Sequence, residues 1–321
     1  MEIKGRTFFI TGGAGFIGSI MAETLLDRGA VVVVYDNLSS GRYEFLKRFE
    51  GRMDFRFVEG DLLEKSSIET ALRASNAGAV VHLAANPDVR KGITETDLDL
   101  KQGTLATYNV LEAARKSNVK EVLFSSSSVV YGVPSLRPTP EDYGPLKPIS
   151  LYGAAKLASE GLITAFSHLY GMQYYIYRFA NVVGRNMTHG VIIDFATKLK
   201  KNAKELEVLG NGQQRKSYID VMDCVEGMLY ICNKSTSREN IYNLSSHDQI
   251  SVSEIAGLVT SRFAPGAAIR YAGGEQGWPG DIADTFLSSK KVNDLGWKPR
   301  LNSAEAVRSA TDYVYGIMHK D

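Results

Sequence analysis

An apolar strand running straight into Thr11-Gly12-Gly13-Ala14-Gly15-Phe16-Ile17-Gly18 leaves this chain few folds to choose from. Arg6-Thr7-Phe8-Phe9-Ile10 reads as a short β-rich strand and Ser19 to Arg28 as helical, so the glycines stand at a strand–turn–helix junction. There Gly12 permits the tight turn, Gly15 lets the backbone approach a pyrophosphate, and Gly18 lets helix and strand pack closely. The phosphates would rest on the helix N-terminus, where free N–H groups and the helix dipole favour negative charge. The next strand, Val31-Val32-Val33-Val34-Tyr35, ends at Asp36, about where a carboxylate meets the adenosine ribose. A carboxylate there accepts hydrogen bonds from both ribose hydroxyls and repels a 2′-phosphate, which favours NAD over NADP. Asp36 also suits a strand-end turn in Asp36-Asn37-Leu38-Ser39-Ser40-Gly41, and both readings can hold at once.

Strand and helix signals then alternate. Asp54 to Val58, Gly78 to Leu83, Glu121 to Ser125 and Tyr174 to Phe179 read as strands; Ser66 to Ala74, Leu105 to Lys116 and Leu151 to Leu169 read as helices. Strands apolar throughout and separated by helices imply a parallel sheet covered on both faces. The expected fold is therefore α/β, a doubly wound parallel Rossmann sheet with a smaller C-terminal substrate lobe. Residues 1–180 are expected to form the dinucleotide-binding domain and 181–321 the substrate domain, with segments around 217–245 returning to the first.

With 37 basic and 36 acidic residues the net charge is +1, which gives no electrostatic reason to bind nucleic acid or an anionic membrane. The two cysteines, Cys224 and Cys232, have neither metal-ligand spacing nor a disulfide framework around them and read as buried thiols in a reducing compartment. Five scattered histidines suggest no metal site. Met1 to Gly5 shows no signal-peptide pattern, and no apolar run is long enough to span a membrane. The expectation is a cytoplasmic protein whose partners are small molecules.

Tyr152-Gly153-Ala154-Ala155-Lys156 carries the chemistry. A tyrosine with an ordinary pKa of about 10 is a poor base near neutrality unless positive charge stabilises its phenolate. Tyr152 and Lys156 share a helix face at i, i+4, so Lys156 can lower the tyrosine's pKa and hold a cofactor ribose. Alone, the pair equally suits an amphipathic helix; beside the glycine motif it points to hydride chemistry. One strand upstream, Ser125 to Ser128 leave the carboxyl end of a buried strand, where open α/β sheets bind ligands. They read either as satisfied turn hydroxyls or as including a donor to a substrate oxygen.

The glycine motif, Asp36 to Gly41, Gly60-Asp61-Leu62, His82-Leu83-Ala84-Ala85, the serine run, Tyr152 with Lys156, and Arg178-Phe179-Ala180-Asn181 together resemble the extended short-chain dehydrogenase/reductase superfamily. Within it the chain is most similar to nucleotide-sugar 4-epimerases of the UDP-glucose (UDP-galactose) type. The resemblance implies NAD as cofactor, a UDP-sugar as substrate, and a homodimer through the helices at 105–116 and 151–169. It implies pyrophosphate contacts at Phe16 and Ile17, adenine contacts at Asp61 and Leu62, and further cofactor contacts at Asn37, Ser39, Ser40, Gly41, Leu83, Ala84, Ala85, Ser125 and Ala180. Ser127 would bond the reacting oxygen, Tyr152 would be the base and Lys156 its tuner. Asn181, Val191, Ile192, Val208, Leu209, Lys216 and Asp281 would surround the nucleotide diphosphate, and Thr285 would leave room for an N-acetyl group at the sugar's C2.

Related dehydratases and decarboxylases carry a carboxylate just before Val-Tyr-Gly, to serve elimination or decarboxylation; here those positions are Ser128 and Val129, which favours reversible oxidation at one carbon. Two departures from the family pattern concern the diphosphate: Trp278 and Lys216 stand where arginine is common. Arg90 and Arg215 read either as the source of the missing charge or as solvated surface residues. A uronic acid 4-epimerase, a 2-epimerase and a non-catalytic NAD-sensing protein are the other readings, although the last commonly lacks the tyrosine–lysine pair.

Overall fold

The computed structural model describes residues 2–274, 276–278 and 280–319. Met1, of the N-terminal stretch searched for a signal, and Pro279, beside Trp278, lie outside the described residues. Contacts divide the chain into two compact units: Met1–Val130, Lys147–Arg178 and Met228–Tyr242 form the first, and Tyr131–Leu146, Phe179–Gly227 and Asn243–Asp321 the second.

The first unit is built on a seven-stranded sheet. Its strands are β1 (Thr7–Thr11), β2 (Val31–Asp36), β3 (Phe55–Glu59), β4 (Ala79–His82), β5 (Glu121–Ser127), β6 (Gln173–Phe179) and the late strand Glu239–Leu244. Across the sheet they run β3-β2-β1-β4-β5-β6 and then Glu239–Leu244. β1 pairs in parallel with both β2 and β4, so the chain winds outward first to one side and then to the other. This is the doubly wound order, with its switch point between β1 and β4, where ligands bind at the strands' carboxyl ends. The strands are apolar throughout because both faces are covered: Phe8, Phe9, Ile10, Val80 and Val81 are fully buried.

Helices α1 (Phe16–Asp27), α2 (Lys65–Ser75), α3 (Ala106–Lys116) and α4 (Leu151–Tyr170) make the crossovers. α1 begins at Phe16, earlier than Ser19, directly after Gly15. Phe16, Ile17 and Gly18 therefore lie in the first helical turn, whose N–H groups have no partner within the helix. Ser150 caps α4 by accepting from Gly153 N, and Gly171, in the left-handed region at φ 69, ends it. Two elements differ from expectation. The strand expected to stop at Ser125 continues to Ser127, because the Ser125 and Ser126 hydroxyls find partners inside the unit. Residues Leu100–Leu105 form a π turn, and regular α-helix starts only at Ala106, not Leu105.

The second unit packs helices Val191–Lys201, Val252–Phe263 and Ser303–Met318 against one another, the last two opened by capping boxes at Ser251/Glu254 and Asn302/Glu305. Its short strands pair Asn181–Val183 with Tyr218–Asp220, Glu205–Val208 with Ala268–Tyr271, and Arg215–Lys216 with both Ile250–Ser251 and Asp284–Thr285.

Ile176 on β6 is fully buried in the first unit's hydrophobic cluster. Ile176→Ala is expected to cost about 2–5 kcal/mol, the usual range for an aliphatic side chain cut back in a packed core. A denaturant midpoint equal to that of the parent chain would contradict this packing.

Candidate active site

The turn after β1 is shaped for a ligand that approaches backbone. Gly12, at φ +70, carries no Cβ; one would lie 2.6 Å from Ala84 N, at the mouth of β4. A Cβ on Gly18 would lie 2.1 Å from Gly12 O, so only glycine lets the first turn of α1 sit against this loop. Asp36, at the end of β2, is buried; its Oδ2 accepts from Ala14 N at 3.0 Å and its Oδ1 from Leu38 N at 2.9 Å. Burial pushes its carboxyl above the usual range, and these two bonds oppose the shift. Gly41 packs on the same carboxylate, since a Cβ there would meet Oδ1 at 2.8 Å. Asn37 donates to Asp61 Oδ2 at 3.0 Å and accepts from Ser39 N at 3.1 Å, tying the turn after β2 to the turn after β3. Ser40 is exposed, while Leu62 turns its side chain into the core. Leu83, Ala84 and Ala85 follow β4, half-buried, with Leu83 N bonded to Thr11 O. The free first-turn N–H groups, the side-chain-free cradle and the strand-end carboxylate fit a dinucleotide.

Lys156, on the second turn of α4, is 3% exposed. Its ammonium donates to Ser125 O at 2.6 Å and lies 4.7 Å from the Phe124 ring centre and 5.6 Å from that of Tyr152. Burial lowers its pKa to about 8, with Glu160 and Asp99 opposing. Tyr152 is raised above the ordinary phenol value, first by burial and then by the negative charge of Asp99. Lys156 is expected to lower the Tyr152 pKa; burial and Asp99 raise it instead, and the ammonium is directed to the Ser125 carbonyl. Of the serines, Ser125 donates to His82 O and Ser126 to Glu160, whereas Ser127 is half-buried with only a long contact from Val129 N at 3.4 Å. The structure thus brings Lys156 onto the Ser125 carbonyl, with Ser127 at the carboxyl end of β5 and Tyr152 in the first turn of α4.

Two buried polar networks hold this arrangement. Arg178 on β6 grips Glu160 of α4 through Nε at 3.1 Å and a second nitrogen at 2.8 Å, and Ser126 of β5 donates to the same carboxylate. A second chain runs from Thr11 Oγ1 to His82 Nδ1 at 2.7 Å, and from His82 Nε2 to Thr107 Oγ1 at 3.0 Å, where Ser159 of α4 also bonds. Thr107 donates its own proton to Gly103 O, so its oxygen accepts. That assigns the imidazole proton to Nε2 and leaves Nδ1 to accept from Thr11. His82 is neutral: burial and the Lys156 charge lower its pKa to about 3.

In the second unit, Lys216 and Thr285 lie on adjoining strands; Thr285 pairs directly with Lys216 in parallel register and is buried. The Lys216 ammonium is bound by the buried Asp281, so this pair brings no net charge to a diphosphate. Arg215 is exposed on the same short strand. Ala180 N bonds to Leu244 O, and Asn181 begins the strand beside Tyr218–Asp220. Val191 and Ile192 open a helix, with Ile192 and Val208 buried and Leu209 exposed. Arg90, in the first unit, is exposed and held by Asp88 through Nε at 3.0 Å. Its charge is matched locally, which weakens it as the source of the missing diphosphate charge.

Three groups went unread in the sequence. Asp99 is a buried carboxylate beside Tyr152 and Lys156. Asn86 bonds it at 3.1 Å. Arg137 lines a cavity of about 710 Å³ in the second unit together with Val133, Gln276, Asp281 and Asp284. No local periodicity marks any of them; only the Pro-rich composition of 131–146 signals an irregular segment. Among the described residues no group of three or more His, Cys, Asp or Glu could hold a metal ion, and no helix is long and apolar enough to cross a membrane.

Known proteins resemble this chain over nearly its whole length. The Epimerase profile, described as the NAD dependent epimerase/dehydratase family, matches residues 8–245. A UDP-glucose 4-epimerase of Mycolicibacterium smegmatis is 30% identical over 317 residues, covering 95% of this chain and 97% of that one. A crystal structure of a UDP-galactose 4-epimerase, 38% identical, superposes with a TM-score of 0.87 over 97% of this chain and 99% of that one. The Thermus thermophilus UDP-glucose 4-epimerase in complex with NAD is 30% identical, with a TM-score of 0.85 and coverage of 97% and 99%.

The neutral His82 has a consequence for stability. Its folded pKa of about 3 lies below the unfolded value near 6.5, so the unfolded chain binds the extra proton between these limits. His82 therefore contributes fully above about pH 6.5 and progressively less as pH falls toward 3, by up to roughly tenfold in the folding equilibrium per pH unit. His82→Gln should be less stable than the parent at pH 7.5, with the gap between their denaturation midpoints narrowing on acidification. A gap of constant size from pH 7.5 to 4.5 would refute a buried neutral imidazole.

Proposed function

Since this chain belongs to the NAD-dependent epimerase/dehydratase family, we propose that it is a nucleotide-sugar 4-epimerase that interconverts UDP-galactose and UDP-glucose through a transient 4-keto sugar. The observation that carries this reading is the buried Lys156 ammonium, 5.6 Å from the Tyr152 ring, in the same unit as a glycine cradle that fits the dinucleotide. The absence of a carboxylate at Ser128 and Val129 supports epimerisation over elimination or decarboxylation.

Bound NAD supplies the oxidant, and then the reductant, for the sugar's C4. Gly12, Gly15, Phe16, Ile17 and Gly18 would hold its pyrophosphate, Asp36 its adenosine ribose, and Lys156 the other ribose. Tyr152 removes the proton of the sugar's 4-hydroxyl as general base and returns it after the 4-keto sugar has turned over. Burial opposes formation of the phenolate, so the positive charge of Lys156 is needed close by, and the nicotinamide adds a second. Ser127, whose hydroxyl is the least committed of the first three serines, donates to the reacting oxygen. Asn181, Lys216, Asp281 and the residues around Val191 and Val208 would surround the nucleotide diphosphate, and the small Thr285 would leave room for an N-acetyl group. The cofactor ends each cycle as it began, so no second redox substrate is needed.

Large apolar side chains stand exposed along α4, on α3 and at the end of the π turn before it, among them Leu105, Tyr108, Leu151, Leu169 and Tyr170. They support a homodimer formed through these helices. Sedimentation should give twice the mass of the 35.2 kDa chain, and Leu169→Glu should shift it toward one copy.

The deciding measurement is NMR of the anomeric proton of UDP-galactose, with freshly purified protein and no added NAD. UDP-N-acetylgalactosamine and UDP-galacturonate run in parallel. Conversion of UDP-galactose to UDP-glucose is expected. Tyr152→Phe should lose on the order of 10²–10⁴ in kcat while keeping NAD. A fully active Tyr152→Phe, or no conversion of any of the three sugars with NAD supplied, would reject this function.

A further inference from the structure

Asp99 stands just ahead of the π turn that leads into α3 and is 2% exposed. Its Oδ1 accepts from Asn86 Nδ2 at 3.1 Å; its Oδ2 is buried and has no hydrogen-bond partner. The backbone leaves that oxygen space, because a Cβ on Gly92 would lie 2.6 Å from it. A buried carboxylate with one oxygen unmatched is costly, and a π turn adds a residue to a helical turn, typically to re-aim side chains at a working site. The same Gly92 point lies 3.6 Å from Leu151 Cβ, so both features face the first turn of α4, where the Asp99 charge bears on Tyr152 and Lys156.

We propose that Asp99 is a positioning residue, the fixed buried counter-charge of the Tyr152–Lys156 pair, and that it sets both pH limits within which the pair can work. This rests on the reading of Tyr152 as the base. A carboxylate beside a buried ammonium favours its charged form; beside a phenol it disfavours the phenolate. Asp99 thus moves the deprotonation of Lys156 and of Tyr152 to higher pH together.

The other charges around it are accounted for. Glu160, on the far turn of α4, also favours charged Lys156, and is itself engaged by Arg178 and Ser126. His82 is neutral. On the turn bearing Gly92, Arg90 pairs with Asp88 and Lys91 is exposed. Beside Asp99 in the chain, Lys101 pairs with Asp97 at the surface. On α3, Glu112, Arg115 and Lys116 form surface ion pairs with one another and with Glu69, and Tyr108 is partly exposed. Burial holds the Asp99 carboxyl above its usual range, opposed by the Asn86 bond and by Lys156.

The test is Asp99→Asn in the NAD-loaded protein, which keeps the shape of the side chain and removes its charge. Ultraviolet difference titration, each protein measured against its own Tyr152→Phe derivative, isolates the Tyr152 phenolate without using any sugar. The Tyr152 transition should move to lower pH by about one unit, the scale of one neighbouring charge. Both limbs of the pH–activity profile should move down with it. Asp99→Ser, which is smaller and likewise uncharged, should shift the titration in the same direction, and serves if Asp99→Asn does not fold. An unmoved Tyr152 transition in a folded variant overturns the proposal, as does an equal loss of activity at every pH. The phenolate titration is independent of the reaction, whereas a fully active Tyr152→Phe would fail the epimerase reading alone.

Discussion

The chemistry of the first unit depends on where α4 lies, and one buried ion pair governs that. Glu160 and Arg178 are almost fully withdrawn from solvent, joined by two hydrogen bonds, with Ser126 donating to the same carboxylate. Such a pair gains little over an apolar contact of the same size, yet removing one partner costs about 3–5 kcal/mol because the other charge is left buried. Any displacement of α4 along β5 or β6 meets that penalty. The pair therefore sets register, and one helical turn toward the N-terminus it sets the height of Lys156, whose ammonium reaches the carbonyl of Ser125 on the strand that Ser126 anchors.

That placement creates the electrostatic problem on which the site is built. Burial acts in opposite directions on its two ionisable groups, lowering Lys156 and raising Tyr152, so both are pushed toward the neutral state. Glu160 and Asp99 hold the ammonium charged, while Asp99 works against the phenolate. The neutral His82 places polar contacts deep in the sheet without adding a second cation near Lys156, and through Thr107 and Ser159 it ties α4 back to β1, the strand that delivers the glycine turn. Cradle and α4 are thus joined by hydrogen bonds inside one unit.

The second unit follows a different logic. Its strands are two to four residues long, and its polar groups meet by chain return: Lys216 comes to Asp281, and Arg137 to Asp284. Neither meeting is foreshadowed in the residues around these positions. Lys216 was legible as a cation in a suitable place, but its partner was not, and the partner decides how much charge remains for a ligand. The contacts of residues 131–146 group them with the later chain, a membership that no pattern within the segment foreshadows.

What the sequence determined by itself is what short-range physics encodes. The glycine spacing, the apolar strands and Asp36 specify the doubly wound sheet and the cofactor end, because turn geometry, strand burial and a strand-end carboxylate are each written within a few consecutive residues. The i, i+4 spacing of Tyr152 and Lys156 is of the same kind. The tertiary structure alone decided the protonation balance: Asp99, buried just ahead of a π turn, bears on the pair by its charge, Glu160 finds Arg178 on a separate strand, and the Lys156 ammonium turns to a backbone carbonyl. Desolvation and charge act through space, so the energetics of the site appeared only once distant segments were packed around it.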